Sequence, residues 1–123
     1  MNGTNLLLDT NIVIFHLHGD KTAYELIANN NIFISVITEM ELLSFKDLSK
    51  EEKNNINNLL SLFTIIDLED SIKNKAIQLR KKHNLKLPDA IIVASASYLN
   101  CSFVSADKKL LDINEVSGVA FDI

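Results

Sequence analysis

Leu6-Leu7-Leu8-Asp9-Thr10-Asn11 is an apolar run that stops on an acid followed by two small polar residues. A short segment apolar on both faces fits a strand in the middle of a sheet that is covered on two sides. The switch at Asp9 ends that strand, and Ile12 to Leu17 reads as the start of a helix, with a second helical segment over Thr22–Ala28. The same alternation recurs outward along the chain. Ile32–Val36 reads as a strand, followed by a helix over Thr38–Leu43 with Thr38 at its N-cap and Glu41 at the third helical position, a capping-box spacing. Ser49-Lys50-Glu51-Glu52 repeats that spacing and opens a helix to about Leu62. Phe63–Leu68 is a third strand, Asp70 caps a helix from Ser71 to about His83, and Pro88 begins a helix that runs to Leu99 and closes at Asn100. Ser102–Ser105 is a fourth strand with Asp107 just past its end, and Val119–Phe121 a weak fifth.

Strands alternating with helices predict an α/β fold: a single domain over residues 1–123 with three α/β/α layers and a central parallel sheet of four to five strands. In such sheets ligands bind beyond the carboxyl ends of the strands, near a switch in strand order.

Composition narrows the function classes. The 123 residues are 47% hydrophobic and 23% charged, with 3 Gly and 1 Pro, which excludes disordered, collagen-like and linker-like chains. Apolar runs are too short for a membrane span, and the opening Met-Asn-Gly-Thr-Asn lacks the basic residue of a secretory signal. The single cysteine, Cys101, permits no internal disulfide and reads as a small buried hydrophobe, so a reducing cytoplasm is the expected compartment. A net charge of -4 argues against coating nucleic acid by bulk charge, but not against a site whose positive charge comes from bound metal. The asparagine clusters Asn29–Asn31 and Asn54–Asn58 (broken by Ile56) read as exposed surface.

The acids carry the chemistry. Asp9 and Asp107 follow strands, and Asp89 and Glu41 are expected in first helical turns, so all four can converge on one rim of the sheet. Each has an innocent explanation as a cap, a turn former or a partner of the helix dipole. Together they would repel one another and raise one another's pKa values unless a cation neutralised them. Ligands that are all oxygen suit Mg²⁺ or Mn²⁺, and phosphodiester hydrolysis by metal-activated water is the natural chemistry.

The strings Leu-Leu-Leu-Asp9-Thr10-Asn11, Ser35-Val-Ile-Thr38-Glu-Met-Glu41-Leu, Leu87-Pro88-Asp89-Ala90 and Val104-Ser105-Ala106-Asp107 together resemble PIN-domain ribonucleases, and among them VapC-type toxins of toxin–antitoxin pairs. The resemblance spans nearly the whole chain. It implies an endoribonuclease dependent on Mg²⁺ or Mn²⁺, with Asp9, Glu41, Asp89 and Asp107 as catalytic metal ligands and Thr10, Asn11 and Ser105 orienting carboxylates or water. It also implies an RNA substrate, a cognate antitoxin protein and a homodimer or larger assembly. Glu39 lies about 200° round the helix from Glu41, so only one can face the site; Glu41 matches the family's Glu-Leu position. Ala106 stands where many relatives carry a polar or basic residue. Asp112 reads as solvated surface.

Arg80, Lys81, Lys82, Lys86 and Lys108, with Lys109, are candidates to touch RNA phosphates, although cations also favour helix C-termini. His16, His18 and His83 sit at no expected strand end. Phe15, Leu42, Leu43, Phe45, Leu59 and Leu60 exceed what one small core needs and could form a dimer face or an antitoxin groove. A catalytically inactive PIN-like RNA- or protein-binding module is the alternative. A receiver-type phosphoacceptor domain is weaker, because Thr10-Asn11 replace its paired acids and Asp67 reads as embedded in a strand. Asn11 likewise breaks the Asp-x-Asp of haloacid-dehalogenase phosphatases.

Overall fold

The structure, a computed structural model, describes residues 3–121. The expected domain limits, 1 and 123, lie outside the described residues. Five strands and seven helices are present among them: β1 (Asn5–Leu8), α1 (Thr10–Leu17), α2 (Lys21–Ala28), β2 (Asn31–Ser35), α3 (Val36–Leu43), α4 (Lys50–Leu60), β3 (Thr64–Ile66), α5 (Asp70–His83), α6 (Leu87–Leu99), β4 (Ser102–Ser105), α7 (Lys108–Leu111) and β5 (Ser117–Ala120). All five strands are parallel, in the order β3-β2-β1-β4-β5. β1 is central: Leu6 is paired with Ile32 on one side, and Leu8 with Val104 on the other. The strand order reverses between β1 and β4, which is where an open α/β sheet leaves a crevice. It also differs from the 2-1-3-4-5 order of receiver domains, which removes that rival on topology.

Side-chain alternation along the strands splits the core in two. Leu7 and Phe103 face α5, α6 and α7 among Ile72, Leu79, Ile92 and Leu110, while Leu6, Leu8, Ile32, Ile34 and Val104 face α1 to α4 among Ile12, Val13, Leu42, Ile56 and Leu60. Every residue from Ala90 to Ala96 in α6 is buried, so this helix is enclosed on most of its circumference. β5 is exposed at all four positions and forms one edge of the sheet. Cys101 is buried, as expected, and burial raises its thiol pKa. Among the described residues no helix is long and apolar enough to cross a membrane.

Several local expectations change. Thr38 is not the cap of α3; Ser35 is, accepting the Ile37 N–H at 3.0 Å, so the helix starts earlier and Glu41 falls in its second turn rather than its first. Ser35 wins because β2 ends there and its hydroxyl reaches the first free amides. β3 contains only the three residues paired with β2, leaving Asp67 beyond it, where its carboxylate accepts the Leu68 N–H at 3.0 Å. The fifth strand is Ser117–Ala120, with Phe121 beyond it. α5 begins at Asp70 after an N-cap, Glu69, that makes no side-chain bond. The capping box of Ser49 and Glu52 forms as read, and Asn100 closes α6 in the left-handed conformation that Asn tolerates best after Gly. Of the surplus apolar residues, Leu42, Leu59 and Leu60 are core and Phe15 stacks on Phe121 at 5.6 Å; only Leu43 and Phe45 are exposed.

Leu7 is fully buried between two layers of helices. Leu7→Ala is therefore expected to lower unfolding free energy by about 2–5 kcal/mol, read from urea denaturation; a loss below about 1 kcal/mol would show that the sheet is not covered on that face.

Candidate active site

The site grows from the ends of β1 and β4. The Asp9 N–H donates to Val104 O at 2.9 Å, carrying the strand pairing one step past β1. Its buried carboxylate then caps α1, Oδ1 accepting the Thr10 N–H at 2.8 Å, while Oδ2 accepts from the Ser105 hydroxyl at 2.7 Å. Ser105 is fully buried, and its Oγ accepts the Asp107 N–H at 2.9 Å. Asp107 in turn caps α7, accepting the Lys109 N–H at 3.0 Å. A four-residue helix beginning at Lys108 was invisible in the sequence because one turn carries no periodicity to read.

A second arm runs from α1 to α3. Thr10 Oγ1 donates to Glu41 Oε1 at 2.7 Å and lies 2.9 Å from Thr38 Oγ1. With the Thr10 proton committed to Glu41, the Thr38 hydroxyl donates to Thr10. Thr38, fully buried, is thus a positioning residue that sequence reasoning misread as a cap. A hydroxyl on the helix face otherwise occupied by Leu42 was the available signal. Asn11, beside Thr10, keeps its Oδ1 buried without a hydrogen-bond partner.

Asp89 is the third residue of α6 and is half-buried. Burial raises its carboxyl pKa, and the charges of Asp107 and Glu41 raise it further against the opposing pull of Lys86 and Lys109. Burial likewise lifts the pKa of Asp9; Ser105 and Thr10 lower it by hydrogen bonding, and the charges of Asp89 and Asp107 add to the lift. The four acids therefore share one electrostatic neighbourhood. They do not form a closed ligand set: among the described residues no group of three or more Asp, Glu, His or Cys side chains is close enough to hold a metal ion. The donor chemistry fits a hard divalent cation nonetheless, since the donors are all oxygen, the acids raise one another's pKa values, and the amide oxygen of Asn11, two residues after Asp9, is buried and unpaired.

The other candidates separate. Arg80 Nε donates to Leu85 O at 3.2 Å, Lys82 pairs with Glu115 at 3.2 Å, and His83 meets the same carboxylate at 3.0 Å, so these residues are engaged in holding α5. The two partners depress the Glu115 carboxyl pKa against the opposing effect of its burial. Lys81, Lys86, Lys108 and Lys109 are exposed. His18 caps the end of α1, and Asp112 the end of α7. His16 stacks on Tyr24 at 5.9 Å, with Nδ1 buried and unpartnered and its pKa lowered by burial. It lines a groove of about 580 Å³ with Tyr24, Ile27, Leu59 and Leu62, beside the opening residues of β1, β2 and β3 and thus at the end of the sheet away from the acids.

Folding raises the Asp89 pKa above its ordinary 3.8, so the ionised group opposes folding at neutral pH, and that penalty fades as pH falls through the folded-state value. In chelator, Asp89→Asn is expected to melt above wild type at pH 7–8 (about neutral, where the acid is ionised), with the gap closing towards acid pH. A variant that melts lower at neutral pH would show that the acids do not repel.

The fold matches those of known proteins. A family model, the PIN domain, matches residues 6–116. Among solved structures, the chain is similar to a toxin–antitoxin complex from Klebsiella pneumoniae, with 31% identity, 90% of this chain and 94% of that one covered, and a TM-score of 0.79. DNA-bound VapBC from Salmonella typhimurium shares the fold at 20% identity, covering 98% of each chain with a TM-score of 0.83. VapBC2 from Rickettsia felis, bound to a promoter DNA fragment, does so at 22% identity, covering 96% of this chain and 99% of that one with a TM-score of 0.82. No match was found among curated proteins. With the family model spanning most of its length, the chain belongs to the PIN-domain family.

Proposed function

We propose that this chain is a divalent-metal-dependent endoribonuclease and the toxin of a VapBC-type toxin–antitoxin pair acting in the cytoplasm. The observation that carries the reading is the shared field of Asp9, Glu41, Asp89 and Asp107, in which burial and neighbouring carboxylates raise the pKa values of Asp9 and Asp89. Those four carboxylates would hold Mg²⁺ or Mn²⁺. When bound, the ion supplies Lewis-acid stabilisation of the phosphodiester and a lowered pKa for attacking water. The chain's own residues fix where this happens. Ser105 orients the Asp9 carboxylate, Thr10 orients that of Glu41, and Thr38 holds Thr10 in place. The unpaired Asn11 oxygen is available to a water or an ion.

The similar toxin–antitoxin complexes support an antitoxin as partner. The groove along His16, Tyr24, Leu59 and Leu62, with Tyr24 and Leu62 exposed and Asn5, Asn30 and Asn31 also lining it, suits an amphipathic segment of such a protein. The exposed patch of Met40, Leu43 and Phe45 on and after α3 suits a second copy of the chain. A catalytically inactive RNA- or protein-binding module is the second reading; it keeps the same acids without hydrolysis, and measured turnover would decide against it.

Total RNA incubated with purified protein and Mg²⁺ or Mn²⁺ is expected to be cleaved, and chelator, Asp9→Asn and Asp89→Asn are each expected to abolish cleavage while circular dichroism stays unchanged. The metal should also raise the wild-type melting temperature by linkage. Intact RNA under all conditions selects the binding module; cleavage that survives both substitutions rejects the site.

A further inference from the structure

After β4 the chain passes through a short segment, residues 106–116, that carries one of the four acids and leads into β5. The Asp107 carboxylate is tied to this segment rather than to the sheet. Its Oδ1 accepts the Lys109 N–H at 3.0 Å, so the carboxylate turns wherever α7 turns. α7 is a single turn of four residues. A helix so short has no stability of its own, and its orientation is set by what it rests on.

The segment is held at three places. Before α7, the Ser105 hydroxyl accepts the Asp107 N–H at 2.9 Å. Along and after it, Leu110 and Ile113 are buried in the core shared with α5 and α6. Gly118 of β5 backs onto Leu111 so closely that a Cβ there would lie 3.0–3.2 Å from Leu111 atoms. Further on, Glu115 grips the last turn of α5: Oε1 lies 3.0 Å from His83 Nε2, and Oε2 accepts from Lys82 Nζ at 3.2 Å. One donor on each oxygen fixes direction as well as distance. The Glu115 and His83 side chains are only 24% and 21% exposed, so salt screens this pair less than a fully solvated one. Among the described residues, Glu115 is the one side chain of residues 106–121 hydrogen-bonded to another part of the chain. β5 adds little to the hold, being exposed at all four positions.

We infer that Glu115 is a positioning residue for the candidate metal site: its grip on α5 fixes α7, and α7 fixes the Asp107 carboxylate. The inference rests on the metal-dependent reading above. It gives Lys82 and His83 a task in the site, exerted through Glu115.

The test measures Mn²⁺ affinity of the whole chain by titration calorimetry, and amide hydrogen exchange in chelator. Glu115→Ala is expected to weaken Mn²⁺ binding about tenfold, the low end for a group that orients a ligand without touching the metal. It is also expected to speed exchange of the Leu110 and Leu111 amides, which donate to Asp107 O, while the Asp9 amide, bonded to Val104 O, is unchanged. Glu115→Gln, which keeps an oxygen acceptor, is expected to recover most of the affinity. Ile56→Val, in the core on the opposite face of the sheet, is expected to lower the melting temperature and leave Mn²⁺ affinity at the wild-type value. Wild-type affinity in Glu115→Ala overturns the inference, with the nuclease reading intact if wild type still cleaves total RNA. An equal loss in Ile56→Val also overturns it, because the effect is then one of global stability. If Glu115→Ala alone loses affinity while wild type leaves RNA intact, the nuclease reading fails and the positioning role stands. A wild type that binds no Mn²⁺ overturns both.

Discussion

The hydrogen bond from Ser105 to the buried Asp9 carboxylate joins the two central strands where their order reverses. A carboxylate with so little solvent is costly unless its oxygens are paired, and here each oxygen has one donor, from Ser105 and from the Thr10 amide. Those bonds do more than satisfy Asp9. Ser105 also receives the Asp107 amide, so the orientation of the acid that follows β1 and the path of the chain after β4 are set by one hydroxyl. The position of α7, and with it Lys109, follows from that path. Losing the hydroxyl would leave a buried anion short of a donor and a backbone amide short of an acceptor at once.

Burial first, and then the charges of neighbouring acids, raise the carboxyl pKa values of Asp9 and Asp89. Hydrogen bonds pull the Asp9 pKa down, yet burial and the neighbouring Asp89 and Asp107 leave it raised. Proteins keep such arrangements at functional sites, where strain in the free state is relieved by a ligand. The large hydrophobic interior makes this tolerable: with two cores packed on opposite faces of one sheet, the rim is held by the burial beneath it rather than by its own contacts.

Much of this was legible in the sequence, for identifiable reasons. Leu6–Leu8 was readable because a fully covered strand has no polar alternation to confuse, and α6 because Pro88 and Asn100 bracket it. The ends of β1 and β4, and so the acids after them, followed from the same abrupt changes in polarity. What was lost depends on pairing or competition. Thr38 and Ser35 are both competent caps, and the end of β2 decided between them. Asp67 reads as strand until one sees that β2 offers β3 only three partners. The Thr10–Glu41 and Ser105–Asp9 bonds join residues 31 and 96 apart, and no local pattern encodes them. Basic residues were the least readable of all, since Lys82 and Lys86 look alike until one is seen to have a partner and the other to lack it.

That wide separation along the chain has a consequence for biosynthesis. Asp9 is synthesised 96 residues before its partner hydroxyl on Ser105, with Asp107 following, so the pocket cannot close until all three have left the ribosome. Closing so long a loop is entropically slow compared with local helix formation. Because its parts lie so far apart along the polypeptide, the pocket exists only once the segment carrying Ser105 and Asp107 has folded back onto β1.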